Sequence, residues 1–69
     1  MKISARNQVR GTIKAIFNGA INSEVVIEVA PGLEITAQIT SESVKRLGLA
    51  PGKQAYAIVK ADNVMVGVD

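Results

Sequence analysis

The first part of the chain alternates between apolar and polar residues, with the period of two that is typical of half-buried β-strands. Residues 9–17 form the first such stretch, and residues 22–29 and 33–39 repeat the pattern. Each stretch predicts a strand with one apolar face and one polar face. The positions predicted to face the interior are Val9, Gly11, Ile13, Ala15 and Phe17 in the first strand, Val25, Ile27 and Val29 in the second, and Leu33, Ile35, Ala37 and Ile39 in the third.

Two turn signals separate these three predicted strands. Residues 18–19, Asn-Gly, both tolerate positive φ and indicate a tight reversal between the first and second strands. Residues 30–33, Ala-Pro-Gly-Leu, predict a type II turn in which the proline presets φ and the glycine takes the positive value. Within the first strand, Gly11 predicts either a bulge or the close approach of another backbone.

Residues 40–48 lose the alternation and predict a short helix. Thr40 or Ser41 can cap its N-terminus, and the glycine at its end is a natural stop. Acidic residues come first in this segment and basic residues last, which suits the helix dipole. Val44 and Leu47 lie three residues apart, so we expect both to dock one face of the helix on the sheet.

Two further strands complete the predicted fold. After a second Pro-Gly turn, residues 54–60 predict a fourth strand that is apolar on both faces, and residues 64–68 predict a fifth. Five short strands with one small helix after the third predict an all-β fold, a small OB-like barrel that is closed or nearly closed. No linker or internal repeat interrupts the pattern, so residues 1–69 are predicted to form a single domain.

The composition limits how such a barrel is stabilised. Of the 69 residues, 48% are hydrophobic but only 3% are aromatic, so the core must be built from small aliphatic side chains. A domain of this size buries roughly 60% of its unfolded surface and is marginal on its own, and the chain has no Cys for disulfides. We therefore expect self-association through an aliphatic interface, with Tyr56 and Met65 as core or interface residues.

The same composition disfavours several classes of function. The chain has neither Cys nor His, which removes the thiol nucleophile, the usual general base and the commonest metal ligands. We therefore expect no enzyme and no side chain that ligates a metal cation directly. The N-terminus carries no long apolar run, so neither a signal peptide nor a membrane span is predicted. The lack of Cys fits a cytoplasmic protein.

Charge is distributed unevenly along the chain. The net charge of +2 is too small to indicate a nucleic-acid-binding protein. The asymmetry instead suits either a compact anionic ligand or complementary pairing between subunits. The basic residues at the start of the chain are Lys2, Arg6, Arg10 and Lys14, and the acidic residues that follow are Glu24, Glu28, Glu34 and Glu42.

Two segments near opposite ends of the chain carry the donors that a tetrahedral oxyanion needs. Ser4, Ala5 and Arg6 offer a hydroxyl, backbone N–H groups and a guanidinium; Lys60 and Ala61 offer an ammonium and another N–H. Such a dianion needs many donors at once, because each charged hydrogen bond contributes only about 1.5–3 kcal/mol. We predict that the segments are two halves of one anion site, completed by a partner chain. The alternatives are a solvated N-terminal arm and a lysine that extends from a strand end into water.

The loop formed by Gly19, Ala20, Ile21 and Asn22 is a second candidate for anion binding. Small residues allow an anion to approach a run of exposed N–H groups, and the Asn22 amide adds a donor. No cationic side chain lies within the loop, so selectivity there would depend on backbone dipoles. The alternative is a simple hairpin loop. Capping and strand solvation account for the other hydroxyl groups, which belong to Thr36, Thr40, Ser41 and Ser43.

Taken together, these motifs resemble the molbindins, the small cytoplasmic Mop-type molybdate-binding proteins. Their domain also occurs in molybdate transport ATPases and in a molybdate-responsive regulator. The resemblance covers nearly the whole chain and is most specific in the Ser-Ala-Arg-Asn opening and the closing pair of a lysine and a small residue. The matching segments are residues 3–8, 19–22, 34–37, 40–44, 47–49, 56–61 and 64–69.

The resemblance implies an OB-like Mop or TOBE domain that assembles as a homo-hexamer, a trimer of dimers. Molybdate or tungstate would bind between subunits, with no catalytic cofactor, and the protein would act as a cytoplasmic store or buffer. One class of site would use residues 4–6 of one chain with Lys60 and Ala61 of another, and a second class would draw on residues 19–22. Where relatives have Ser after the lysine, Ala61 keeps the N–H but lacks the hydroxyl. Discrimination against the smaller sulfate would depend on cavity size.

Two other functions are alternatives to oxyanion binding. OB modules that bind single-stranded nucleic acid stack bases on aromatic side chains along a basic groove, whereas this chain has one Phe, one Tyr and a net charge of +2. The other alternative is a structural domain that senses or dimerises within a larger transporter or regulator. The start at Met1 and the end at Asp69 favour a complete protein instead. We expect neither nucleic acid nor a membrane as a partner.

Overall fold

The computed structural model describes residues 1–69 and contains four strands, one α-helix and one 3₁₀ turn. The elements in chain order are β1 (Asn7–Phe17), β2 (Asn22–Ala30), β3 (Leu33–Thr40), α1 (Ser41–Arg46), β4 (Gln54–Val59) and the 3₁₀ turn (Ala61–Asn63). The strands form one antiparallel sheet in the order β3-β2-β1-β4. No helix is long and apolar enough to cross a membrane.

β1 is the strand that both halves of the sheet share. From Asn7 to Thr12 it pairs with β4, and from Thr12 to Phe17 it pairs with β2. Gly11 lies where β1 changes partner, and a Cβ at this position would lie 2.5 Å from the carbonyl oxygen of Glu28. The predicted close backbone approach at Gly11 is therefore confirmed, because no side chain fits between the two backbones.

A β-bulge at Lys14 changes which residues of β1 face the core. The register steps from Ile13 to Ala15 across a single position of β2, so Lys14 has no direct partner there. Beyond the bulge, Ile16 packs against the core, whereas Phe17 is exposed. The predicted inward orientation of Ala15 and Phe17 is wrong, because one extra residue shifts the alternation by one position.

The two predicted turns differ in how their glycines are used. Gly32 has a φ of 76°, as the predicted type II turn requires. The chain reverses between β1 and β2 as predicted, but neither Asn18 nor Gly19 has a positive φ, so the expected φ values are wrong. A Cβ at Gly19 would lie 2.2 Å from the carbonyl oxygen of Asn22, so the loop needs glycine for close packing.

Val9 and Leu33, predicted to point inward, are exposed because they lie near the ends of their strands.

The short helix closes one side of the core. Thr40 caps α1 by accepting a hydrogen bond from the Ser43 N–H at 3.1 Å, and Gly48 ends the helical segment with a φ of 65°. Val44 is buried as predicted, but Leu47 is 58% exposed. A six-residue helix has few positions that can face the sheet, and the turn at Gly48 leaves Leu47 on the rim of the core. The buried core residues are Ile13, Val25, Ile27, Val44 and Ala57.

Residues 64–68 do not form the predicted fifth strand. A reversal onto β4 requires a hairpin turn, but the chain forms a 3₁₀ turn at Ala61–Asn63 instead, and no strand follows it. Without a strand beside it, this segment has no ladder of backbone hydrogen bonds; among its N–H groups only that of Val64 is bonded, to the Ala61 carbonyl oxygen at 3.3 Å. Met65, Val66 and Val68 are 92%, 92% and 94% exposed.

The open sheet curls so that its two edge strands line one apolar groove of about 430 Å³. Ile39 of β3 and Ile58 of β4 lie on its walls, and Leu47 and Tyr56 are part of its lining. Tyr56 and Met65 are both exposed, so neither belongs to the core of the chain. Only six of the 69 residues are buried, so the chain leaves much apolar surface uncovered.

Candidate functional site

The two segments predicted to share an anion site leave the sheet at the same place. Asn7 at the start of β1 is directly opposite Val59 at the end of β4. Residues 4–6 therefore enter, and residues 60–61 leave, one end of the same pair of strands in a single chain. Register alone brings these two distant parts of the sequence to one end of the molecule.

The segment before β1 is held by a polar side chain of β1 and remains open to water. Gln8 Nε2 donates a hydrogen bond to the Ala5 carbonyl oxygen at 2.6 Å. In a planar trans peptide the carbonyl and the following N–H point in opposite directions. The Arg6 N–H is therefore directed away from Gln8. Ser4 and Arg6 are exposed and Ala5 is half-buried, so the hydroxyl and the guanidinium can both reach a ligand.

The segment after β4 has a cation and a counter-ion close together. Lys60 Nζ lies 3.7 Å from Asp62 Oδ2, and both side chains are largely exposed. Exposed ion pairs of this kind contribute little to stability. Ala61 begins the 3₁₀ turn, and the first N–H groups of a helical turn have no partner within it. Breaking the ion pair with Asp62 would therefore cost little stability, so the Lys60 ammonium can bind a dianion instead.

The loop of residues 19–22 lies at the other end of β1 and cannot join the first candidate site within one chain. β1 is 11 residues long, which separates the two regions by roughly 35 Å at about 3.3 Å per residue. The Gly19 carbonyl oxygen accepts a hydrogen bond from Ser41 Oγ at 2.7 Å, and the Ile21 carbonyl oxygen accepts one from the Ser41 N–H at 2.8 Å. The start of α1 thus holds this loop in place.

Ser23 is a residue of this region that the sequence pattern did not single out. It is 2% exposed, and its Oγ lies 2.7 Å from Ser41 Oγ. Its position in β2, two residues before Val25 on the inward face, is a signal that identifies it as buried. The interpretation of Ser41 as a solvated or capping hydroxyl is wrong, since Thr40 is the cap and Ser41 bonds to the loop.

A separate charged group lies on the outer face of the sheet. Lys14 Nζ lies 2.5 Å from Glu34 Oε2, and Glu34 is directly opposite Glu28. The hydrogen bond and the attraction of Glu34, with a smaller contribution from Glu28, raise the pKa of Lys14 above its ordinary value of 10.5. Lys14 therefore offsets the repulsion between two facing carboxylates, and its ammonium is not free for a ligand.

The other hollow in the surface and the aromatic residues do not form a competing site. A polar hollow of about 300 Å³ is lined in part by Arg10, Gln54 and Glu28, and Arg10 donates a hydrogen bond to Gln54 Oε1. A carboxylate beside the only cation in this hollow disfavours an anionic ligand. Phe17 ends β1, whereas Tyr56 lies opposite Arg10. The two aromatic side chains are therefore too far apart to form one stacking surface for bases.

Comparison with known proteins gives consistent matches over the whole fold. Residues 3–66 match the TOBE domain family model. A probable molybdenum-pterin-binding protein of Haemophilus influenzae is 48% identical over 69 residues, which is all of both chains. A molybdate-binding protein from Sporomusa ovata has a solved structure with a TM-score of 0.91 and 40% identity, covering 99% of this chain and all of the other.

A third match comes from a ligand-bound structure. The cytoplasmic molybdate-binding protein ModG, in a form with molybdate bound, superposes with a TM-score of 0.94 and 48% identity. The superposition covers all of this chain and 49% of ModG. These likenesses confirm the resemblance seen in the sequence and the predicted all-β, OB-like fold, with four strands in the chain instead of five.

Proposed function

The chain belongs to the TOBE domain family, and from this membership we propose that it binds molybdate, and tungstate in the same sites. It holds these oxyanions in the cytoplasm for storage and homeostasis. The function is binding without catalysis, and the ligand is the intact tetrahedral dianion. Relatives of similar length are described as molybdenum-pterin-binding or molybdate-binding proteins.

The observation that carries this function is the pairing of Asn7 with Val59. Because of it, Ser4 and Arg6 approach the same end of the sheet as Lys60. A dianion at this end would meet a hydroxyl, a guanidinium and an ammonium, together with backbone N–H groups. Charge-assisted hydrogen bonds from several donors are what replaces the water shell of such an anion.

We propose that a second copy of the chain completes each site. One copy supplies residues 4–6 and its neighbour supplies residues 60–61. A two-fold contact between these ends would bring each chain's residues 60–61 beside the other's residues 4–6, since a two-fold interface uses the same patch twice. Each such contact would form two equivalent sites, and three such dimers would give the expected hexamer.

Support for self-association comes from the apolar surface that one chain leaves open. The groove between β3 and β4 is lined almost entirely by hydrophobic side chains, Ile39 and Ile58 among them. The segment 64–68 is apolar, exposed and without a strand partner. Large exposed apolar patches on soluble proteins often mark interaction sites. A homo-oligomer would cover the groove and the segment together.

Selectivity among oxyanions would come from size, because sulfate has the same charge and shape as molybdate but is smaller. A cavity formed by donors fixed on two chains cannot contract fully around the smaller anion. The loop of residues 19–22 would form a second class of site, in which exposed N–H groups and the Asn22 amide bind the anion. Its lack of a cationic side chain predicts weaker binding there.

Calorimetric titration of the purified protein with molybdate, tungstate and sulfate tests this function directly. We expect tight binding of molybdate and tungstate and weak or undetectable binding of sulfate. Native mass spectrometry of the same samples should show an oligomer that gains whole oxyanions. A protein that binds none of the three anions, or that binds single-stranded oligonucleotide in their place, would contradict the proposal.

A further inference from the structure

We infer that Ser41 is a positioning residue for the oxyanion site at the 19–22 loop, where it fixes the direction of two peptide groups without contacting the anion itself. The inference rests on the proposed function, and it assigns a role to a hydroxyl that neither helix capping nor solvation explains. Ser41 is the first residue of α1, and the preceding Thr40 already caps the helix.

The contacts of Ser41 reach two carbonyl groups of the loop. Its Oγ donates to the Gly19 carbonyl oxygen at 2.7 Å, and its backbone N–H donates to the Ile21 carbonyl oxygen at 2.8 Å. One residue thus holds both carbonyls towards α1. These are the two peptide groups on either side of the bend at Ala20 and Ile21.

The direction of these carbonyls determines the direction of two N–H groups. A trans peptide is planar, and its N–H points opposite to its carbonyl. With the Gly19 and Ile21 carbonyls turned towards Ser41, the N–H groups of Ala20 and Asn22 are directed away from it. Both residues are exposed. N–H groups turned outward from one short loop form the kind of concavity that binds anions.

A closed ring of hydrogen bonds holds the Ser41 hydroxyl in this orientation. A hydroxyl has one proton, and that of Ser41 is donated to the Gly19 carbonyl, so Ser23 Oγ must be the donor in its 2.7 Å contact with Ser41 Oγ. Ser23 Oγ in turn accepts from the Gly19 N–H at 3.4 Å. The ring therefore runs from the Gly19 N–H through both serines back to the Gly19 carbonyl, and each bond polarises the next.

The burial of Ser23 shields one side of this ring from solvent. Ser23 is 2% exposed and lies on the same face of β2 as Val25. Water therefore has little access to the contact between Ser23 and Ser41. An orientation held in this way exists before the ligand arrives, so binding does not have to order the loop. The ring thus preorganises the N–H groups of Ala20 and Asn22, which lie in a loop without a cationic side chain.

The experiment compares molybdate binding by the wild type, Ser41→Ala, Ser41→Thr and Ser43→Ala. Calorimetry resolves the classes of site, and amide NMR shifts of Ala20 and Asn22 report the loop directly. We expect Ser41→Ala to weaken the loop site about tenfold, the effect of one lost hydrogen bond, with the site at residues 4–6 and 60–61 unchanged. Ser41→Thr keeps the hydroxyl and should bind like the wild type. Ser43 lies on α1 without a loop contact and is the matched control.

Several outcomes would overturn the inference. It fails if Ser41→Ala binds at the loop with wild-type affinity, or if the Ala20 and Asn22 amides of the wild type do not respond to molybdate while the other site fills. Should Ser41→Ala not fold, Ser23→Ala decides, because it removes both the donor to Ser41 and the acceptor of the Gly19 N–H while the Ser41 hydroxyl stays in place, and it should weaken the loop site severalfold. A wild type that binds no molybdate at either site would instead reject the proposed function.

Discussion

Asn7 and Val59 lie directly opposite each other at one end of the β1–β4 pair, although they are far apart in the sequence. Arg6 comes directly before β1 and Lys60 comes directly after β4, so the same register places both residues at one end of the sheet. Two like charges at one end of a strand pair repel each other, and in the proposed assembly the negative charge of a bound anion would offset this repulsion at each contact between chains. Asp62 supplies part of that negative charge in the free chain.

Substitution of either cation should weaken oxyanion binding without changing the fold. We expect Arg6→Ala and Lys60→Ala each to lower the affinity for molybdate by about 10–100-fold, because a charged hydrogen bond contributes about 1.5–3 kcal/mol. Calorimetric titration gives the affinity and circular dichroism checks the fold. Arg46→Ala is the control, since it removes an exposed cation at the end of α1 that belongs to neither segment. Equal effects of all three substitutions would indicate general electrostatic attraction instead of a site.

Mixing the two variants tests whether a site is shared between chains. If residues 4–6 of one chain and residues 60–61 of its neighbour form a site, a mixed Arg6→Ala and Lys60→Ala dimer has one site lacking both cations and one intact site. Co-assembled variants should therefore recover high-affinity binding at up to half of the sites of the mixed dimers. If each site is formed within one chain, mixing restores none. Native mass spectrometry of differently tagged variants counts the anions on each mixed species.

The sequence predicts local structure well, but it does not predict features that depend on a third element or a second chain. The alternation of β2, the type II turn at Gly32 and the cap at Thr40 follow from neighbouring residues, and all are confirmed. The bulge at Lys14 adds one residue that alternation cannot reveal. Likewise, residues 64–68 have the pattern of a strand, but the chain has no strand beside them.

The candidate site was predictable to a similar extent. The types of donor at residues 4–6 and 60–61 are visible in the sequence, whereas their proximity depends on the register of β1 and β4. The role of Ser23 depends on its burial and on its contact with Ser41 of α1. Neither can be read from the fact that the residue has a hydroxyl group. Residue chemistry was therefore the predictable part, and the relative position of the segments was not.

Gly11→Ala should destabilise the fold because the new methyl group meets backbone atoms. A Cβ at Gly11 would lie 2.5 Å from the Glu28 carbonyl oxygen and 2.7 Å from Ile27 Cγ2. We expect a loss of about 1–3 kcal/mol in the free energy of unfolding, the usual cost of overpacking. Chemical denaturation measures it. Gly67→Ala is the matched control, since nothing lies within 4 Å of its Cβ position, and equal stability of the two variants would argue against the close contact.

Removal of residues 64–69 should reduce the oligomeric state. This segment is the most exposed apolar part of the chain, and its strand pattern lacks a partner within the chain. We expect light scattering to show a smaller assembly for the truncated protein. Val66→Asp should have a similar effect, whereas Gly67→Asp adds the same charge without removing an apolar side chain and should have less. An unchanged mass for the truncated protein would show that other surfaces hold the assembly together.

Lys14→Met should change how stability depends on pH. The pKa of Lys14 is raised in the folded chain, chiefly by its hydrogen bond to Glu34 and then by the attraction of Glu34 and Glu28. A raised pKa means that the folded state binds the proton more tightly, so the contribution is complete below the unfolded pKa near 10.5 and is lost as pH rises through the folded pKa. We therefore expect the free energy of unfolding to fall more steeply above about pH 10 in the wild type than in Lys14→Met.

At pH 7 the Lys14→Met variant should be less stable than the wild type, because Glu28 and Glu34 then face each other without a cation between them. Urea unfolding between pH 7 and 12 measures both effects, with Lys2→Met as the control for loss of a surface charge. If the curves of the wild type and Lys14→Met stay parallel up to pH 12, the ion pair on the bulge contributes nothing to stability.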